Sequence, residues 1–401
     1  MALKKISDSI LYVGADDKTI DLFESQYPVP NGVTYNSYVI KDRKIAVFDT
    51  VDERATDPWF DNLDEAFEGK APDYLIISHL EPDHSANIER FLTKYPDTVV
   101  VANAKTFAML GQFISIDVPQ DKRLAVAEND TLELGEHTVK FIMAPMVHWP
   151  EVMVEYELSE KVLFSADGFG TFGALGGKLS VKELEGMPEA WADEARRYFI
   201  NIVGKYGPSV QGLLKKASAL EINKIAPLHG PVLEGELDFY IDKYMKWSSY
   251  QPEREGVAIA YASLHGNTAK AAERLAQSLR EKTAQPVEVF DLARDDMSQA
   301  VAKSFEYDKL VLAGVTYDGG LMPCMEDFLY HLKMKNFQNR KAAVIENGSW
   351  GPVAGKLMSD ALAAMKNVSV YENKVTIKTS LNEKNEAEID DLAGWLVNKA
   401  E

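Results

Sequence analysis

Along the first half of the chain, short apolar and aromatic runs alternate with breaks rich in Gly, Asn and charge. Ser9–Gly14, Val33–Ile40 and Lys44–Thr50 are of this kind, and each is predicted to be a strand. Asp57–Phe67 instead repeats Trp59, Leu63 and Phe67 at the spacing of one helical face. A compact apolar strand is expected at Asp73–Ser78, with further strands at Thr98–Ala102, Thr138–Ala144, Met153–Leu158 and Lys161–Ser165. From Lys182 the pattern turns to long helical stretches, Ala190–Tyr206 and Ser209–Leu220, and a short strand follows at Lys224–Pro227.

Lys246–Glu255 is polar and contains Pro252, the composition of an interdomain linker. Beyond it the alternation is regular. Strands are predicted at Val257–Ala262, Val287–Asp291, Lys309–Val315, Lys341–Glu346 and Lys374–Ile377, and helices at Thr268–Lys282, Met325–Lys333, Gly355–Ala364 and Ala387–Lys399. Strands alternating with helices imply parallel βαβ units and a doubly wound sheet. Two domains are expected, 1–250 and 251–401, in an α/β chain without internal repeats.

Composition narrows the function classes. With 46% apolar and 26% charged residues, the 401-residue chain is neither disordered nor fibrous. A net charge of −19 opposes binding to phosphate backbones, so no nucleic-acid partner is expected. The single cysteine, Cys324, forms no internal disulfide and is expected to be a packed thiol. It also excludes a built-in rubredoxin or ferredoxin, each of which needs four thiolates. No run approaches the roughly 18 apolar residues of a membrane span. No apolar signal segment follows the N-terminal lysines, so no membrane partner and a cytoplasmic location are expected.

The densest chemistry is His79-Leu80-Glu81-Pro82-Asp83-His84, directly after an apolar strand. In an extended chain His79, Glu81 and Asp83 share a face, Pro82 biases Glu81 toward extended geometry, and His84 must aim elsewhere, toward a second metal if there is one. His148, Asp167 and His229 each stand at a strand end opening into a loop, where side chains from different elements converge. Tyr198, on the helical stretch before His229, is expected to reach the metal pocket without ligating. His137 and His331 lie outside any constellation and are expected at the surface.

Taken in order, these residues resemble the metallo-β-lactamase superfamily pattern, with Glu81 where the hydrolases carry a second His. Three carboxylates (Glu81, Asp83, Asp167) and four imidazoles (His79, His84, His148, His229) form a hard, anionic shell that suits iron. Two ferrous ions, these three carboxylates and one bridging hydroxide sum to a neutral cluster. The Glu-containing motif followed by a flavodoxin-like half resembles the flavodiiron proteins (A-type flavoproteins) over essentially the whole chain. That resemblance implies an N-terminal metallo-β-lactamase-like αββα sandwich and a C-terminal flavodoxin-like sheet. It implies two non-haem irons, with His79, Glu81 and His148 on the iron nearer the flavin. Asp83, His84 and His229 would hold the other, and Asp167 would bridge them.

The second half opens on a strand running into Ser263-Leu264-His265-Gly266-Asn267-Thr268 and a helix, an anion site at a helix N-terminus. The loop resembles the flavodoxin phosphate loop and suits FMN. Thr316-Tyr317-Asp318-Gly319 and Ser349-Trp350-Gly351, at two later strand ends, are expected to flank the flavin ring. His265 departs from the aromatic that the family often carries there; it either tunes the flavin or fills space.

The resemblance implies four-electron reduction of dioxygen to water, two-electron reduction of nitric oxide to nitrous oxide, or both. Iron and flavin together store the four electrons. A rubredoxin-like external donor is implied, with a head-to-tail homodimer or a dimer of dimers bringing flavin to iron. Two other readings stand beside this one: a zinc hydrolase with a regulatory flavin domain, opposed by Glu81, and a plain electron carrier, opposed by the intact ligand set.

Overall fold

The computed structural model describes residues 3–398, which divide into two compact units at the boundary between Met245 and Lys246. The first is a sandwich of two sheets. One has seven strands in the order Lys4–Lys5, Ile10–Tyr12, Tyr38–Lys41, Ile45–Phe48, Tyr74–Ile76, Val99–Asn103 and Arg123–Val126, antiparallel at the start and parallel from Ile45–Phe48 onward. The other has six: Thr131–Glu133, Thr138–Met143, Met153–Glu157, Val162–Phe164, Lys224–Ala226 and Leu233–Glu234.

The inner faces supply one apolar layer. Ile40, Ala46, Phe48, Ile76 and Val101 meet Val139, Phe141, Met153, Val162 and Phe164, as expected where strand side chains alternate and each sheet turns its apolar face inward. Phe48 and Phe164 stack across the layer with ring centroids 4.2 Å apart. The helix Thr56–Phe67 buries Trp59, Leu63, Ala66 and Phe67 on one stripe. This unit is metallo-β-lactamase-like.

Val33–Ile40 is not one strand. It breaks at Asn36 and Ser37, so that Val33–Tyr35 pairs with Ala15–Asp17 while Tyr38–Lys41 joins the large sheet. The break frees Asn36, whose amide donates to the carbonyls of Pro227 and Gly230, at 2.8 Å each. The long helix expected over Ala190–Tyr206 is α-helical only across Glu189–Tyr198; Phe199–Val203 widens to a π-helix and Gly204–Tyr206 tightens to a 3-10 turn. π segments of this kind are often associated with functional sites, and Tyr198 stands at the join.

The second unit is a parallel sheet in the order Val287–Asp291, Arg254–Tyr261, Tyr307–Tyr317, Arg340–Asn347, with Val368–Val370 and Val375–Ile377 both beside the last. Numbered along the chain this is 2-1-3-4-5, the flavodoxin-like order. Helices Asn267–Lys282 and Glu383–Val397 pack on one face through Ala272, Leu275, Leu279, Ile389 and Leu392. The helix Met297–Glu306, which the sequence reading omits, starts at Asp296, whose carboxylate accepts from the Ser298 N–H at 2.8 Å.

The expected linker is largely ordered structure. A helix runs from Leu237 to Ser248, a strand begins at Arg254, and the Tyr250 carbonyl between them accepts from Arg340 Nη1 at 2.8 Å. Buried Trp247 and Tyr250 supply the apolar anchors that the stretch's average polarity hides.

Phe141 is fully buried between the sheets. Phe141→Ala is expected to cost about 3–5 kcal/mol of stability through lost burial and a residual cavity. Denaturant unfolding of the metal-free protein measures it, and a cost below about 1 kcal/mol would contradict this packing.

Candidate metal and flavin sites

The strand Tyr74–Ile76 ends just before the ligand motif, and Glu81 keeps the extended backbone that Pro82 favours (φ −56°, ψ 140°). Pro82 then starts a short helical turn, Pro82–Ser85, as proline readily does at a first helical position. The turn changes the geometry expected from alternation. Asp83 does not share a face with His79 and Glu81; it turns away with His84.

The seven side chains gather into two groups. His79, Glu81, His148 and Asp167 form one, and Asp83, His84 and His229 the other, the atoms of each lying within 4.8 Å of one another. In the first, His148 Nε2 lies 3.0 Å from Glu81 Oε2 and 3.2 Å from Asp167 Oδ2, and His79 Nε2 lies 3.3 and 3.4 Å from the same two oxygens. In the second, His229 Nε2 is 3.2 Å from Asp83 Oδ2 and 3.1 Å from His84 Nε2. Asp167 Oδ1 approaches this group, at 3.3 Å from His84 Nε2 and 3.6 Å from that of His229. The two Asp167 oxygens thus face different groups.

These residues fit metal ions. Ligand atoms about 2.1 Å from one ion and at right angles around it lie about 3 Å apart, close to the separations observed. The carboxylate oxygens of Asp83 and Asp167 are buried without a hydrogen-bond partner, an expensive arrangement unless a cation compensates it. Burial alone would pull the imidazole pKa values down. Asp167 and Glu81 overcome it and lift His148 to about 9; Asp83 and Asp167 do the same for His84.

Neighbouring groups hold the ligands in place. His79 Nδ1 donates to Glu151 Oε1 at 2.8 Å, and His229 Nδ1 donates to the Thr34 carbonyl at 2.6 Å. Asp49 Oδ1 accepts the Ser78 N–H at 2.8 Å, and burial pushes its carboxyl up to about 6. Sequence reasoning missed Glu151, Thr34 and Asp49. Glu151 stands three residues after His148, yet nothing in its own spacing marks it.

Tyr198 is buried beside this cluster, its ring centroid 5.5 Å from that of His229 and 5.2 Å from that of Phe172. Burial, then Asp167, Asp83 and Glu81, hold its phenol well above the ordinary range, so it keeps its proton. His137 is not at the surface as expected. It is buried, its Nδ1 3.0 Å from Glu157 Oε1 and its Nε2 2.9 Å from Ser9 Oγ. His331 is half-buried near Asp327, and Cys324 is a half-buried free thiol.

In the second unit, a cavity of about 500 Å³ opens at the carboxyl ends of the strands. Ser263, Leu264, His265, Asn267, Thr268, Thr316, Asp318, Gly319, Ser349, Trp350 and Gly351 line it. Gly266 and Tyr317 are off its wall. Gly266 takes a left-handed turn (φ +87°) that a side chain would strain, and Tyr317 is exposed. Thr379 is an unforeseen lining residue, held by Asn347, whose side chain binds both its N–H and its carbonyl. The same strand-end rule would have found it. A phosphate-bearing flavin fits this cavity. The first turn of Asn267–Lys282 has no side-chain cap, which leaves amides for an anion. Trp350, 86% exposed, offers a flat apolar face.

Comparison with known proteins agrees with both halves. Residues 33–230 match the family described as ODP family beta lactamase, and residues 258–348 match a flavodoxin domain. The chain is 28% identical to the rubredoxin-oxygen oxidoreductase of Megalodesulfovibrio gigas, covering 94% of this chain and 96% of that protein. It is 27% identical to an anaerobic nitric oxide reductase flavorubredoxin of Vibrio vulnificus, over 93% of this chain and 75% of the relative. The solved flavodiiron protein from Giardia intestinalis shares the fold, with a TM-score of 0.92 at 23% identity, covering 99% of this chain and 96% of that one.

Because His84 and His148 hold protons up to about pH 9 in the metal-free site, a metal must displace them. Ferrous-ion affinity is therefore expected to rise as the pH is raised from 7 toward 9, with protons released on loading. Anaerobic calorimetry in buffers of different ionisation enthalpy checks this; proton-neutral, pH-independent uptake would contradict it.

Proposed function

We propose that this chain, which belongs to the flavodiiron protein family, is an oxidoreductase that reduces dioxygen to water, nitric oxide to nitrous oxide, or both. The observation that carries this reading is the shared position of Asp167 between two ligand groups in a chain that also has a flavin-type phosphate loop. When bound, FMN supplies two electrons and the diiron pair two more, enough for one dioxygen.

In this reading residues 1–250 hold the irons and 251–401 the FMN. His79, Glu81 and His148 hold one ion, Asp83, His84 and His229 the other, and Asp167 spans them. Ser263, Asn267 and Thr268 hold the phosphate with the helix amides, and Trp350 and Gly351 border the flavin ring. Tyr198 keeps its proton at Oη beside the irons and offers a hydrogen bond to the substrate. Phe23 and Tyr35 pack against the His229 ring, and Phe172 packs against Phe23 and Tyr198, so aromatic rings line that side of the cluster.

A rubredoxin-like protein is the proposed electron donor. A head-to-tail homodimer or dimer of dimers, in the cytoplasm, completes the reading. Among the described residues no helix is long and apolar enough to cross a membrane.

The purified protein is expected to contain about two irons and one FMN per chain and, when reduced anaerobically, to consume dioxygen or nitric oxide. Asp167→Ala is expected to abolish gas consumption and lower iron retention while FMN content stays unchanged. Zinc that survives reconstitution with ferrous iron, together with hydrolytic turnover, would overturn the proposal.

A further inference from the structure

All four of the cluster's imidazoles turn Nε2 toward the acids, and the outer Nδ1 atoms of His79, His84 and His229 meet three different environments. His229 Nδ1 meets a neutral carbonyl at 2.6 Å, and His84 Nδ1 is buried with no partner. His79 Nδ1 meets a carboxylate, Glu151 Oε1, at 2.8 Å.

Glu151 is firmly placed. It is 1% exposed, its Oε1 also accepts the Leu80 N–H at 2.9 Å, and the Asn103 amide donates to its carbonyl at 2.5 Å. Two N–H donors, one of them a ligand imidazole, converge on this one oxygen, an arrangement a carboxylate suits. Its Oε2 is buried with no hydrogen-bond partner. A fourth buried carboxylate is therefore hydrogen-bonded to one ligand group, whereas among the described residues no carboxylate meets the outer nitrogen of His84 or His229, Asp49 acting on His84 only through space. A carboxylate on the outer nitrogen of a metal-binding imidazole fixes its tautomer and makes it a stronger donor. A nearby anion also favours the more highly charged ion by simple attraction.

We propose that Glu151 makes the two metal positions unequal. The position held by His79, Glu81 and His148 binds its ion more tightly and favours the more oxidised level, while that of Asp83, His84 and His229 takes the looser, more easily reduced ion. This rests on reading the cluster as a diiron centre.

Glu151→Gln tests it, because glutamine keeps an acceptor oxygen for His79 and Leu80 and removes the charge, with an amide NH2 in place of the buried Oε2. The wild-type protein, reconstituted anaerobically with ferrous iron and dialysed against increasing chelator, is expected to lose its irons in two separate steps. In Glu151→Gln the tighter step is expected to weaken by about 10- to 100-fold toward the looser one, with FMN content and the circular dichroism spectrum unchanged. Mössbauer spectra of the one-electron-reduced wild type are expected to show one localised ferric and one localised ferrous ion, a distinction the variant blurs. Iron loss in one step from the wild type, or identical two-step loss from the variant, would overturn the inference. So would equal weakening of both positions, the signature of a merely structural side chain. A wild-type protein that takes up no iron would overturn the diiron reading itself.

Discussion

Burying like charges together constrains the first unit more than any other feature. Glu81, Asp83, Asp167 and Glu151 lie within or against one pocket, with Asp49 and Glu155 just behind. Carboxylates so close cannot all stay ionised away from water without compensating positive charge. His79, His84 and His148 provide part of it by holding protons, and a pair of divalent cations would provide it fully. The scaffold fits this need: strand ends and the turns that follow them deliver the four pocket acids, and Glu155 behind them stands within the strand Met153–Glu157.

Much of this was legible in the sequence, for identifiable reasons. A motif as dense as His79 to His84 has few structural uses, and the strand before it is short and strongly apolar. His148, Asp167 and His229 each follow a recognisable strand and precede a turn. Less legible was anything set by a side chain's second neighbour. Glu151 looks like an ordinary loop acid, and its role depends on the fold bringing residues 79 and 151 together. The direction of Asp83 was misjudged for a local reason: alternation was carried through Pro82, where the backbone in fact turns helical. Asn36 and Ser37 looked like tolerated polar residues within a strand, although they end it.

The flavodoxin-like half was easier to read, because parallel βαβ units repeat a simple rule: ligands meet the carboxyl ends of strands. Three of the loops named in advance line the cavity, and the fourth, carrying Thr379, obeys the same rule. The exceptions are instructive. Gly266 matters through its backbone conformation rather than by touching the cavity. Thr316 faces the cavity, and its hydroxyl also accepts the N–H groups of Val353 and Ala354 at 2.9 and 3.1 Å, at the start of the helix Ala354–Ala363, so one side chain ties the flavin loop to that helix.

The break at Asn36 also bears on how the first unit is assembled in time. The loop carrying His229 is held by Thr34, Asn36 and Tyr38, partners 189 to 196 residues earlier in the chain. Contacts of such high sequence separation form slowly, after the entropy of closing a long loop has been overcome. During synthesis, all ligands but His229 emerge with nearly two hundred residues between the opening strand and the missing partner. A nascent chain of about two hundred residues therefore carries six of the seven ligands but no closed centre. Metal capture at the His229 position becomes a late event that marks the completion of this unit's folding.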